Sequence, residues 1–248
     1  MRKKTIFLSV LGGLVGLAIL DGSVQMIRAS EAISGPVDLA GVTQLSVTGA
    51  ASDITISTRG DGAREAVLSG TRHGWGAIWR SGWFAGDCAG QARMTRDGAT
   101  LTVDMGDRGG FFGWNDWDEC TLTFTAELSP EARVSIRQNA ARMQLSGDFA
   151  AIDVESDAGD FAFVGHAATV AVSGAALRAK LAFERVMNTE EIRISGKMLD
   201  ASLRFLTPTP ISYGVDAVAS YVDSALPNTP GAKPSISIRG EMVHATIR

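Results

Sequence analysis

The residues best suited to chemistry in this chain are aromatic. All five tryptophans fall between Trp75 and Trp117, in two Gly-rich stretches, His73 to Gly86 and Gly106 to Glu119. Trp75, Trp79 and Trp83 are spaced by four, which puts them on one side of a strand and, with drift, on one side of a helix. Gly74, Gly76 and Gly82 make the helix the weaker choice. Together with Phe84, Phe111, Phe112, Trp114 and Trp117 they are the candidate ligand-binding residues, an aromatic platform that would stack on sugar rings, a peptide or a membrane interface. The competing use is structural: repeat architectures need a cap over a terminal apolar face, and these rings would supply one.

Carboxylates are the second possible source of chemistry. Asp53, Asp148, Asp157, Asp160, Asp200 and Asp223 recur at turns. Clustered acids on one face of a parallel coil are how polysaccharide-cleaving β-helices work, so such an enzyme is the alternative reading. Asp also recurs at corners for local backbone bonding, and that account covers all six. Asn115, Asp116, Asp118 and Glu119, with Asp104 and Asp107 nearby, supply oxygen for a calcium ion, but no twelve-residue calcium loop is present and a solvated acidic loop is expected. There is no Gly-x-Ser-x-Gly elbow, no His-Glu-x-x-His, no phosphate-binding Gly loop and no Cys-x-x-Cys. His73, His166 and His244 are scattered, and His244 alternates with Val243 and Ala245, facing solvent. No catalysis, cofactor or metal is expected.

What would hold these groups is a repeat. Between Val134 and Leu181 a two-beat apolar signature recurs every nine residues, at Val134/Ile136, Met143/Leu145, Ile152/Val154, Phe161/Phe163, Val170/Val172 and Ala179/Leu181. Each pair is a short strand with inward side chains two apart. It continues as Ile192/Ile194 with Ala201/Leu203, Val215/Ala217 with Ser224/Leu226, and Ile236/Ile238 with Ala245/Ile247. An earlier couple is Leu45/Val47 with Ile54/Ile56, so the fold is expected to begin near residue 42. The expected fold class is all-β, a short parallel β-solenoid of two-strand coils with 18 to 23 residues per turn and an irregular N-terminal half. The short corner reads Ser173-Gly174-Ala175-Ala176, Ser195-Gly196-Lys197-Met198 and Arg239-Gly240-Glu241-Met242, while insertions collect at the opposite corner. Ala92/Met94 with Leu101/Val103 keeps the offset of nine, yet Arg96-Asp97-Gly98 between them equally suits an antiparallel hairpin. Further strands are expected near Ala66 to Ser69 and Thr121 to Thr125.

The run Leu128-Ser129-Pro130-Glu131-Ala132-Arg133-Val134-Ser135-Ile136, followed by Leu145-Ser146-Gly147-Asp148 and Ser156-Asp157-Ala158-Gly159-Asp160-Phe161, resembles the bacterial putative-adhesin family of β-strand repeats. The similarity spans roughly Val42 to Arg248 and weakens toward the C-terminus, where Asp no longer follows the corner Gly. The resemblance implies an exported, non-catalytic surface or envelope protein on a parallel β-solenoid.

The net charge of −4 gives no footprint for nucleic acid. Met1-Arg2-Lys3-Lys4 and the apolar run Ile6 to Leu20 have the form of an export signal, a basic start before a stretch shorter than the ~20 residues of a spanning helix. Residues 1–32 are thus read as a signal peptide or an N-terminal membrane anchor, and 33–248 as one adhesin-like domain with an aromatic-rich insert at 73–120. Either way the body is expected in the periplasm or at the cell surface. Cys88 and Cys120 are the only cysteines; an exported chain is expected to pair them, and two free buried thiols are the alternative. Such a loop closure contributes on the order of 3 to 4 kcal/mol. The expected partners are a glycan, a peptide or an envelope surface, a membrane tether through Ile6 to Leu20, and a second copy through Ser235 to Arg248, read as an uncovered last coil.

Overall fold

The apolar doublets become strands because small or polar residues at every other position let one face of each segment turn inward. The computed structural model describes residues 35–60, 64–73, 92–106 and 119–248. They form ten strands and no helix: β1 (Val37–Asp38), β2 (Gln44–Thr58), β3 (Glu65–His73), β4 (Arg93–Asp97), β5 (Thr100–Asp104), β6 (Glu119–Leu128), β7 (Ala132–Phe183), β8 (Glu191–Phe205), β9 (Ser212–Ser224) and β10 (Ser235–Ile247). The leader, residues 1–32, lies outside the described residues. Among those described, no helix is long and apolar enough to cross a membrane.

The main layers are parallel and in register. Leu45 pairs with Val134 and Ile54 with Met143 between β2 and β7. Val170 pairs with Ile192 and Ala179 with Ala201 between β7 and β8. Ile192 pairs with Ile236 and Ala201 with Ala245 between β8 and β10. Long β7 also lies on itself at an offset of eighteen residues, with Gly159 against the Ala141 carbonyl and Gly174 against that of Ser156. The corner sequences around Gly174, Gly196 and Gly240 stack one on another, as the repeat predicts.

Two positions face inward at each short corner, and large and small residues alternate between them. At the first two short corners of β7 the filled position carries a polar side chain, Gln138 or Ser156, and its companion is Ala141 or Gly159. From Gly174 onward the assignment is exchanged, and Leu177, Leu199 and Val243 fill the corner. Glycine is then required: a Cβ at Gly174 would lie 1.7 Å from the Ser156 carbonyl oxygen, and one at Gly196 would lie 2.8 Å from a Leu199 methyl. The opposite corner is packed by rings. Phe149, Phe163, Phe183 and Phe205 run along the stack with successive centroids 6.1, 5.6 and 5.3 Å apart.

Four details differ from the sequence expectation or decide it. Ala92/Met94 and Leu101/Val103 form an antiparallel hairpin, β4 with β5, turning at Gly98 with φ 56°, and β5 then lies parallel on Gln44 to Thr48 of β2. The fold begins earlier than residue 42, since Val37 pairs with Ala66. In β9 the inward doublets are Tyr213/Val215 and Val222/Ser224, matched to Ile236/Ile238 and Ala245/Ile247. The expected doublets were two residues further on, a slip that leaves every side chain on its correct face and so escapes a period-two pattern.

The fourth concerns layer order. Layers do not follow the chain: the spatial order is β3, β6, β2, β7, β8, β10, β9. Ser235 to Arg248 is therefore not an uncovered last coil, because β10 is paired on one edge with β8 and on the other with β9. The chain overshoots to β9 and returns between the two. The more apolar segment takes the interior place: Ile236, Ile238, Val243, Ala245 and Ile247 are all buried, whereas no residue of β9 is.

Candidate functional site

The two aromatic segments are rooted side by side. Segment 74–91 leaves the end of β3 and segment 107–118 returns at the start of β6; there His73 faces Glu119 and Arg72 faces Cys120 across an antiparallel ladder. At their other ends β4 starts and β5 ends, and Arg93 faces Asp104. The two ladders stand on the two arms of one layer, β5 on Gln44 to Thr48 and β6 on Asp53 to Thr58. The corner joining those arms is tied to the end of β5. Met105 N–H donates to the Thr48 carbonyl (2.8 Å), Ala50 N–H to that of Gly106 (3.1 Å), and Gly106 N–H to the Asp104 carboxylate (2.9 Å). Gly49, with φ 133°, is obligatory there: a Cβ would come 2.6 Å from that of Met105.

Along the same short corner runs an open groove of about 480 Å³, walled by the turns Ala51 to Asp53, Ala140 to Arg142 and Ala158 to Asp160 and by Thr121 and Leu122 of β6. Small residues leave this space. Beneath it, the buried Ser52 hydroxyl donates to Gln138 Oε1 (2.9 Å), and Gln138 Nε2 has no partner among the described residues. The groove's charged groups alternate by layer: Asp53 pairs in register with Arg142, and Asp160 follows Arg142 by the eighteen-residue offset.

The predicted site residues divide accordingly. Trp75, Trp79, Trp83, Phe84, Phe111, Phe112, Trp114 and Trp117 lie outside the described residues, as does Cys88; no disulfide is present among those described. Cys120 is in β6, one residue from the root of its segment. Asp157 is exposed and Asp160 half-buried at the groove's edge. Asp148, Asp200 and Asp223 are engaged by Arg185 (2.9 Å), by Arg178 and His244 (3.4 and 3.1 Å), and by Arg248. His244 faces outward as its alternation predicts, between Asp200 and the Tyr221 ring, whose centroid is 5.5 Å away. Asn115, Asp116, Asp118 and Asp107 are outside the described residues. Among those described, no group of three His, Cys, Asp or Glu is placed to hold a metal ion.

Electrostatic perturbation falls on structural clamps. Lys233, with Arg193, holds the Glu191 carboxyl below the usual carboxylate value. Arg248 does the same for Asp223 and is itself raised. Sequence patterning missed Glu190, fully buried in the connector after β7. Its carboxylate accepts the Met187 and Thr189 N–H groups and lies 3.3 Å from His166 Nε2, while its own carbonyl accepts the Ser235 N–H. The hint in the sequence is an acid two residues after Asn188, which adopts φ 60° in that turn.

No protein-family model matches the chain, and no curated protein matches it. Among solved structures it is similar to a putative cell adhesion protein from Clostridium sporogenes ATCC 15579 and to a putative adhesin from Bacteroides fragilis NCTC 9343. Each aligns at 10% identity with a TM-score of 0.45 over 86% of this chain, covering 95% of the first and 94% of the second. The family resemblance read from Leu128 to Phe161 is shared in name by these two structures, and neither gives a residue of this chain a role.

Proposed function

We propose that the chain is an exported, non-catalytic β-solenoid of the bacterial cell envelope, which presents segments 74–91 and 107–118 as one binding platform for a glycan, a peptide or another envelope-surface ligand. The observation that carries this reading is the double juxtaposition of His73 with Glu119 and Arg93 with Asp104: both ends of the two aromatic segments spring from neighbouring strands. Strands are a stiff base that fixes where the two segments leave and rejoin the fold, and aromatic rings carried by such segments suit a flat ligand. A Cys88–Cys120 disulfide would tie the first segment to the root of the second. The apolar run Ile6 to Leu20 directs export and either is removed or tethers the body to the membrane.

The test replaces Trp79 and Trp114 by alanine and measures retention on glycan arrays and on isolated envelopes beside the circular dichroism spectrum. Lost retention with an unchanged spectrum is the expected result. Loss of the β spectrum would make these rings a cap, and turnover of a glycan abolished by Asp157→Asn with Asp160→Asn would make the protein an enzyme.

A further inference from the structure

Among the described residues the stack ends on β9, whose ladder partner is β10, on one edge only. Its backbone shows which groups the outer edge offers. Tyr213 points both its N–H and its carbonyl outward, where the Asn228 side chain caps them at 3.0 and 2.8 Å. By the alternation of a ladder, Val215 and Ala217 also point outward. On the second arm Ala225 N–H turns inward to the Ile247 carbonyl (2.9 Å), so Val222 and Ser220 point outward as well. The edge is lightly protected: Ser212 to Ser224 contains no Lys, Arg or Pro, its only charges are Asp216 and Asp223, and Val218, Tyr221 and Val222 are 89%, 65% and 36% exposed. The apolar surface continues along the corner through Met242 and Met198, both about half exposed.

We propose that this edge is a homodimer interface, closed by β9 of a second copy running antiparallel about a two-fold axis at Val218 and Ala219. The uncapped run Gly214 to Asp223 is its own complement when reversed about that point. Val215 then faces the partner's Val222, and Ala217 faces the partner's Ser220. All four carry outward backbone groups, so each opposition is a hydrogen-bonded pair. They are also the inward-facing residues of the layer, so the core continues across the axis. Asp216 meets the partner's Tyr221 and Gly214 meets the partner's Asp223, so no like charges are opposed; Asp223 is already neutralised by Arg248. The bend at the corner favours this occupant over an ordinary straight strand, because only a strand with the same central bend can follow both arms. Val218 is the diagnostic residue: it faces the partner's Ala219 and lies diagonally across the axis from its own copy, so a charge placed there meets its like at short range. This interface is at the opposite end of the strand order from β3 and β6, and it does not depend on the binding reading.

Sedimentation of the purified protein over a concentration series tests it. Wild type is expected to show a monomer–dimer equilibrium. Val218→Lys and Val218→Asp should each raise the dissociation constant at least about tenfold through self-repulsion. An equimolar mixture of the two variants should recover the dimer as a heterodimer, which a merely unfolded variant would not do. A wild type that stays monomeric at millimolar concentration overturns the proposal, whatever else binds β9. Association that persists in both variants, or a mixture that fails to recover it, overturns it too.

Discussion

Gly196 lies directly on Gly174, so close that a Cβ at Gly196 would stand 2.4 Å from the Gly174 carbonyl oxygen. The layers touch backbone to backbone at this corner, and a side chain can enter only by prising them apart. Gly196→Ala is therefore expected to destabilise the fold by roughly 3 kcal/mol or more, since the obstacle is backbone rather than a mobile side chain. Urea denaturation followed by circular dichroism checks it; a loss below 1 kcal/mol, approximately the cost of an ordinary surface change, would contradict this packing.

The ring row at the other corner works by filling space. Phe183 is buried between Phe163 and Phe205, so Phe183→Ala opens a cavity and removes two ring contacts. The expected loss is about 3 to 5 kcal/mol, with Phe183→Leu recovering more than half of it.

Glu190 organises a connector. Replacing it by alanine leaves the Met187 and Thr189 N–H groups without their acceptor and should cost about 2 to 4 kcal/mol. Glu190→Gln keeps one acceptor oxygen and is expected to fall between that variant and wild type in the same urea titration.

Acid should loosen the β9–β10 end. Glu191 and Asp223 have depressed folded-state values relative to their ordinary 4.5 and 3.8, owing to Lys233 and Arg248. A depressed carboxylate adds stability above its ordinary value, and that contribution is lost as pH falls through the lower folded value. The urea midpoint should thus decline below about pH 4. A Lys233→Met, Arg248→Met double variant should show a shallower decline there, because Glu191 and Asp223 each lose the largest of the influences that hold them low. An unchanged slope would assign the acid sensitivity to other groups.

Much of the strand pattern could be read directly from spacing. The doublets from Val134 to Leu203 and the Gly174, Gly196 and Gly240 corners are found where their nine-residue rhythm puts them, because burying one face imposes a strict period. Layer order was not legible: Ile192 fits equally well beneath Tyr213 or beneath Ile236, and parity alone does not choose. The deciding signal was in the corner residues, where Gly240 with Val243 repeats Gly196 with Leu199, while Ala217 with Ser220 fills nothing. At the site, sequence picked out the aromatic cluster but not the neighbouring roots, which depend on the β3–β6 ladder pairing His73 with Glu119 over a separation no local pattern spans. Gln138 and Glu190 escaped because a buried polar side chain has no periodic signature.

The most direct test of the layered arrangement is disulfide trapping between outward positions, read by peptide mass mapping after mild oxidation. Ser202 is paired with Thr246 in the adjacent layer, and Thr246 with Asp223 in the layer beyond. Ser202→Cys with Thr246→Cys is predicted to cross-link readily, and Ser202→Cys with Asp223→Cys is predicted not to. The reverse outcome, in which the second pair of introduced thiols joins and the first does not, would contradict the parallel stack and the insertion of β10 between β8 and β9.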